Sequence, residues 1–164
     1  MPLMVKQIEV VAHAELVGEG PTSLHTHPGG IRMIPNPTTD HSAEGYGETV
    51  IVGEAVSIGD ILYGKSDGKF WKADASSDST SKGRLVMATE SLSTDQSGTV
   101  LLYGKLRDDS WSWTPGDILY VSPTSGGPTT TLPSGTGEIV RIIGHTHTAN
   151  IVFFNPEQSY LEIS

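Results

Sequence analysis

Short apolar runs, each closed by a turn signal, are the feature that most limits the fold of this chain. The runs cover 48–56, 60–66, 70–74, 84–91, 99–107, 117–122, 138–146 and 149–156. Hardly any window repeats apolar residues at helical spacing for three turns. Asp67-Gly68 lies between two runs and is typical of a tight hairpin, because glycine accepts the positive φ that such a turn requires. The pattern predicts an all-β domain, a compact β-barrel or β-sandwich, over residues 47–164.

The first 46 residues have a different composition. Residues 8–17 could form one strand, but residues 18–47 are dense in Pro, Gly and Thr and offer little apolar surface to bury. Such a segment cannot offset the entropy of its own ordering, so it would be extended, or ordered only against a partner chain. We therefore expect an extended N-terminal arm over residues 1–46.

Charge and composition narrow the function classes. The chain has 10 basic and 19 acidic residues, a formal net charge of −9, which argues against a nucleic-acid partner because phosphate binding needs clustered Lys and Arg. There is no cysteine, so thiolate metal sites and disulfides are excluded. No apolar run approaches the roughly 20 residues of a membrane-spanning helix. We expect a soluble protein without a signal peptide or a membrane partner.

A short motif occurs twice. GDILY occupies 59–63 and again 116–120, and each copy is followed by a turn and a weaker strand. A duplicated β-unit would explain this repeat. A simpler explanation is that Gly-Asp makes a good turn before a buried strand. Both interpretations predict the same all-β core.

Two His-Thr-His units suggest metal chemistry. In an extended segment residues i and i+2 project to the same side, so His25 and His27 can reach one ion. One chain supplies only two nitrogens, whereas three symmetry-related chains would supply six, which suits an octahedral Fe(II)- or Ni(II)-like site. One interpretation is a transition metal (Fe, Ni or Zn) bound by His25 and His27 on a threefold axis, and the other is a short polar loop with exposed histidines and no bound metal. His145 and His147 are expected to be exposed, in a turn or bulge between two paired strands.

Two other groups of side chains invite a functional interpretation. Asp108-Asp109 follows Arg107 in a predicted turn, and we expect both carboxylates to be solvated. Trp111 and Trp113, with Trp71, could stack on sugars, but alternating tryptophans are more typical of a core or a subunit interface. Signatures of phosphate-binding loops and of serine or cysteine nucleophiles are absent from the sequence. The chain is therefore not expected to be an enzyme.

From about residue 48 onward the chain resembles a family of bacteriophage virion β-domains, those of capsid decoration (cement) proteins, head fibres and some tail-fibre modules. The resemblance rests on GDILY, the hairpin return DGKFWKA, GRLVMAT, SGTVLLYGK, and a second GDILY followed by TTTLPSG. These strand and turn motifs cover roughly 110 of the 164 residues. HTHPGG at 25–30 looks like the His-x-His elements of phage fibres and spikes.

The resemblance implies a structural protein of the virion. It would be a homotrimer on the capsid exterior, made in the host cytoplasm, that binds the major capsid protein and decorates or cements the shell. The first alternative is a tail-fibre or baseplate module that adheres to the host. The arm of 1–46 departs from the family pattern, because decoration domains often begin near the first GEAV-type strand.

A zinc metallopeptidase of the HxHP type is the second alternative. In that pattern an upstream carboxylate, here Glu15 or Glu19, would activate a zinc-bound water. The downstream residues do not match, because Asn36 stands where the pattern has Ser and Thr39 where it has Asp. That fold also needs substantial helices, which the sequence does not predict.

Overall fold

The computed structural model of the protein describes residues 33–164, and it confirms the all-β prediction. Its one helix in this range is the single turn Asp78–Ser81 (α1), which Ser77 caps. The strands are Ala43–Ile51 (β1), Ile61–Gly64 (β2), Phe70–Lys72 (β3), Leu85–Ala88 (β4), Ser97–Arg107 (β5), Ile118–Val121 (β6), Pro128–Thr129 (β7), Ile139–Val140 (β8), Ile142–Thr148 (β9), Ile151–Phe154 (β10) and Leu161–Glu162 (β11).

One long strand, β5, organises the antiparallel sheet, which curls into a half-barrel. Along one side β5 pairs with β1. Along the other side its first half pairs with β4 and its second half with β10. Two wings therefore extend from β5: an N-terminal wing, β4–β2–β3, and a C-terminal wing, β10–β9–β6–β7. Strands β8 and β11 form a separate two-stranded ladder.

In the N-terminal wing, strand β4 and the first half of β2 are buried on both faces. Alternate side chains such as Leu62 and Val86 enter a small core, which Val52 and Phe70 also contact. Their neighbours Ile61 and Met87 enter a large core, shared with the C-terminal wing. Fully burying one such side chain contributes about 1.5–3 kcal/mol relative to exposing it, so both faces stabilise the wing.

Backbone hydrogen bonds close both wings. The chain after β1 reaches β3, where the Gly53 amide donates to Phe70 O over 2.8 Å. At the far end of the C-terminal wing, Ile61 N donates to Gly126 O (2.7 Å) and Gly126 N donates to Ala73 O (2.8 Å). The turn between β6 and β7 is thereby held against the N-terminal wing. This contact pairs amides that would otherwise remain at open sheet edges.

A β-bulge in β5 lets this strand serve both cores. Tyr46 pairs with Tyr103 but Gly47 pairs with Leu101, so Leu102 is an extra residue. Leu101 before the bulge and Leu106 after it both face the large core, although they differ in strand parity. A bulge of this kind bends the strand and increases its twist.

Glycines at the bend allow the strands to approach closely. Gly45 and Gly104 face each other across β1 and β5, with φ of +154° and +147°. A Cβ on Gly104 would lie 2.2 Å from Glu44 O. On β9, Gly144 has φ of +142°, and its Cβ would lie 1.9 Å from Phe153 O. Only glycine fits these positions, because another residue would combine backbone strain with a clash.

The two GDILY copies have equivalent surroundings. Gly59 and Gly116 have φ of +82° and +92°, and each donates its amide across the sheet, to Ala88 O and Thr146 O respectively, over 2.9 Å. The amides of Ala88 and Thr146 return bonds to the carbonyl of the following aspartate in each copy. The strand register around the two copies is also equivalent. In β2, β4 and β5, the residues opposite one another are Ile61, Met87 and Leu101. In β6, β9 and β10, they are Ile118, His145 and Phe153. A Gly-Asp turn before a buried strand does not by itself require the register to match in a third strand, so this match favours the duplicated β-unit.

All eight predicted runs contain a strand, with local differences. Strand β1 begins at Ala43, inside the range 1–46 that the sequence assigns to the arm. The loop after β3 contains α1. Strand β9 continues to Thr148, so the turn before β10 is at Ala149-Asn150. Within residues 33–164, no helix has the length and apolar character needed to cross a membrane.

We predict that Gly104→Ala lowers the free energy of unfolding by about 3 kcal/mol or more, because strained φ alone costs about 1–3 kcal/mol and a clash is added. Gly68→Ala is the matched control. Gly68 also has positive φ, +80°, but no atom lies within 4 Å of its added Cβ, so the loss should be about 1 kcal/mol. Urea unfolding of both variants measures the difference, and equal losses would contradict the close approach at Gly104.

Candidate interaction surface

A row of partly exposed aromatic and apolar side chains crosses the outer face of the sheet, the face directed away from the large core. We call it the aromatic face: Tyr46, Tyr103, Phe153, His145 and Ile118, from β1, β5, β10, β9 and β6. The Tyr103 and Phe153 rings make an edge contact with centroids 5.0 Å apart. Tyr46 and His145 extend the row, with centroids 6.4 Å from Tyr103 and 5.2 Å from Phe153. Ile118 is 46% exposed.

The position of this row follows from the register. In the N-terminal wing the equivalent residues Ile61, Met87 and Leu101 are covered by the C-terminal wing and belong to the large core. Their counterparts Ile118, His145 and Phe153 have no covering element among the described residues. Contiguous exposed apolar side chains of this kind mark interaction sites more often than isolated ones do.

A lysine and a second histidine border the aromatic face. Lys105 lies on the outer face of β5, and His147 occupies a bulge of β9 two residues after His145. Partial desolvation lowers the pKa of the His147 imidazole below its usual 6.5, and the charges of Lys105 and His145 lower it further. The fixed positive charge beside this face is therefore that of Lys105, and Glu44 lies opposite it in the β1–β5 ladder.

The segment before β1 is fastened beside this face. Lys105 Nζ donates to Ile34 O (3.2 Å) and to Asn36 Oδ1 (2.7 Å). Arg107 donates through Nη1 to Thr38 O over 3.2 Å. Residues 34–38 are thus held by β5, and the chain then turns back to enter β1.

The turn before β1 brings Asp40, His41 and Asp108 together. His41 Nε2 lies 3.7 Å from Asp40 Oδ2 and 3.8 Å from Asp108 Oδ1, a spacing that one metal ion could bridge. These atoms also have structural roles. Asp40 Oδ1 accepts the amides of His41 (3.0 Å) and Asp109 (2.7 Å), and Asp108 Oδ1 accepts the amide of Ser110 (2.8 Å). Asp40, His41 and Asp108 therefore fasten the turn before β1 to the loop after β5.

A second partly apolar surface lies at the C-terminal end of the described chain. We call it the C-terminal groove, of about 310 Å³, lined by Val140, Ile142, Glu157, Ser159, Tyr160 and Leu161. This volume is at the lower end of the range of small-molecule pockets, so the groove suits one or two side chains. Leu161 is 66% exposed and Tyr160 is also exposed, while Glu157 and Glu162 give the surface negative charge.

A buried arginine supports this groove. Arg141 is 1% exposed and donates through Nε to Glu157 O (2.9 Å) and through Nη1 to Ser81 O (2.7 Å). No carboxylate of residues 33–164 forms an ion pair with it, and burial lowers the pKa of its guanidinium. Arg141 thereby ties the last turn of α1 to the segment that leads to β11.

The predicted site residues have different outcomes. His25 and His27 lie outside the described residues, so the metal site remains a prediction. His145 and His147 are exposed, as predicted, and His147 is in a bulge, but both belong to strand β9. Asp109 is exposed and pairs with Arg107, whereas the expectation for Asp108 was wrong, since it is 7% exposed. Nothing in the local sequence distinguishes the two aspartates.

The tryptophans lie apart from the aromatic face. Trp111 and Trp113, in the loop after β5, pack against the large core with ring centroids 6.0 Å apart. Trp71 packs on Gly53, and its Nε1 donates to Asp67 Oδ2 over 3.0 Å. The residues that form the aromatic face were missed in the sequence. The equivalence of the two GDILY copies was the signal that could have pointed to them.

In the described part of the chain, the residues that occupy the downstream positions of the peptidase pattern make other contacts. Asn36 is used in the contact with Lys105, and Thr39 O accepts the Ser42 hydroxyl. Between residues 33 and 164 the helical content is the single turn α1, whereas the peptidase fold requires substantial helices.

No protein-family model matches this chain, and no curated protein is significantly similar to it in sequence. The resemblance to phage virion domains therefore rests on the strand and turn motifs alone.

We predict that the pKa of His147 lies below 6.5 and that Lys105→Gln raises it, because one cationic neighbour is removed while a hydrogen-bond donor remains. The lowered pKa means that protonation opposes folding. The contribution of His147 to stability is therefore present above pH 6.5 and is lost as the pH falls through the lowered pKa. NMR titration of the imidazole protons measures both values. Lys69→Gln, in the other wing, should leave the His147 titration unchanged.

Proposed function

We propose that this chain is a structural protein of a bacteriophage virion that decorates or cements the capsid exterior as a homotrimer. It would be made in the host cytoplasm and would bind the major capsid protein without catalysing a reaction. The observation that carries the proposal is the aromatic face. Aromatic side chains are enriched in protein–protein interfaces, and this face presents five aromatic or apolar side chains in one row.

The fold supports a mechanical role. Both wings are closed by backbone hydrogen bonds, and two cores fill the domain. Such a domain can present a fixed surface repeatedly over a shell. Three linked copies would bind with high avidity, because attachment of one copy raises the effective concentration of the other two at neighbouring capsid subunits. The net charge of −9 favours solubility of the free chains before assembly.

The test is co-sedimentation of the purified full chain with undecorated capsids of the same virus. We expect saturable binding, in a stoichiometry divisible by three, that is competed by an excess of unlabelled chain. Capsids already saturated with the chain are the control and should take up no more. No binding to capsids would overturn the proposal. Attachment to host cells without capsid binding would instead support the tail-fibre or baseplate alternative.

A further inference from the structure

We infer that Asp40, His41 and Asp108 bind one divalent metal ion of the zinc type. The ion would join the turn before β1 to the loop after β5, and its role would be structural. The site is separate from the predicted one at His25 and His27, and it does not depend on the proposed function.

The three side chains present one ligand atom each, at a spacing close to that around a metal ion. His41 Nε2 lies 3.7 Å from Asp40 Oδ2 and 3.8 Å from Asp108 Oδ1, and the three ligand atoms lie within 4.8 Å of one another. Ligand atoms around a tetrahedral Zn²⁺ ion, with bonds of about 2.0–2.2 Å, are roughly 3.3–3.6 Å apart. Asp40 and His41 are exposed, so small rotations of their side chains can close the difference, and a water molecule can complete the coordination.

The buried carboxylate of Asp108 is the observation that points to a cation. Asp108 is 7% exposed, and His41 is the only basic side chain of residues 33–164 within ion-pair distance of it. From the same residues its side chain accepts one hydrogen bond, from the Ser110 amide to Oδ1 over 2.8 Å. An ionised carboxylate in a buried position is unfavourable unless its charge is compensated. A metal ion beside His41 would supply that compensation.

The total charge of the three side chains suits a divalent ion. Two carboxylates with one neutral imidazole, the form of histidine that binds metals, leave a negative charge that a divalent ion balances. The guanidinium of Arg107, on the neighbouring end of β5, is directed to Asp109, with which it forms hydrogen bonds of 2.7 and 3.1 Å. The ion would therefore not compete with an arginine already bound to these carboxylates.

Backbone hydrogen bonds orient the carboxylates for an ion. Asp40 Oδ1 accepts the amides of His41 (3.0 Å) and Asp109 (2.7 Å), and its other oxygen, Oδ2, is the one that faces His41 Nε2. Hydrogen bonds of this kind orient carboxylates that ligate metals. A set of one nitrogen and two oxygens favours Zn²⁺ or Mn²⁺. Sites for Ca²⁺ and Mg²⁺ are built of oxygen, and Cu(I) selects sulfur.

The test is calorimetric titration of the metal-free full chain with Zn²⁺. Every protein of the series carries His25→Ala and His27→Ala, so that the predicted His-Thr-His site cannot contribute. We expect saturable binding at one site per chain, and a higher Tm with Zn²⁺, because the ion binds the folded chain. His41→Asn removes a ligand, and asparagine tolerates the φ of +56° at this position. It should weaken binding about tenfold or more and abolish the rise in Tm.

Asp108→Asn should weaken Zn²⁺ binding to a similar extent, and Asp40→Asn repeats the test if Asp108→Asn fails to fold. Asp95→Asn is the matched control, because Asp95 is an exposed carboxylate that pairs with Lys69 and lies outside the three-residue site. Its Zn²⁺ affinity should equal that of the parent protein.

Paramagnetic NMR locates the ion. A small amount of Mn²⁺ added to the ¹⁵N-labelled chain should first broaden the amide signals of residues 40–41 and 108–110, while those of His145 and His147 stay sharp. Absence of saturable Zn²⁺ binding would overturn the inference. An unchanged affinity in His41→Asn, or broadening centred on His145 and His147, would overturn it as well.

Discussion

Strand β5 is paired on both sides along most of its length, and the rest of the fold depends on the bulge and bend that allow this double pairing. Its first half completes the N-terminal wing and its second half begins the C-terminal wing. The extra residue Leu102 reverses which side chains face the large core, and the Gly45–Gly104 pair lets β1 follow the bend without a steric clash. Without that reversal, Leu101 and Leu106 could not both enter the large core.

The two wings are unevenly buried because some strands of the N-terminal wing lie between the large core and the small core. A strand between two cores has no solvent face, whereas β6, β9 and β10 face the large core on one side only. The outward side chains of these three strands repeat the register of residues that are buried in the other wing. The aromatic face is thus a consequence of stacking two similar β-units, in which the second unit covers the first and is itself left uncovered by residues 33–164.

Much of the fold could be predicted from local signals. Runs of β-branched and aromatic residues located eight strands, and Asp67-Gly68 located the β2–β3 hairpin, because these signals act within a few residues. What depends on distant contacts could not be predicted. The uninterrupted burial of residues 85–88 arises because two cores lie on opposite sides of β4. Asp108 is buried, with its carboxylate 3.8 Å from His41 Nε2, whereas Asp109 is exposed, and the His41 contact comes from a distant part of the chain. The members of the aromatic face come from five separate strands, so the repeat of GDILY, and no local pattern, was the signal that could have pointed to them.

The β1–β5 ladder has a consequence for the order in which the domain folds. It joins Ala43 to Leu106 and Ile51 to Ser97, so it closes large loops and its contacts are entropically costly to form early. The hairpins β2–β3 and β9–β10 have short turns and can form within about 1–10 μs. The ladder must then wait for the C-terminal half of β5 to be synthesised and paired. A chain dominated by such non-local pairing folds in roughly milliseconds to seconds.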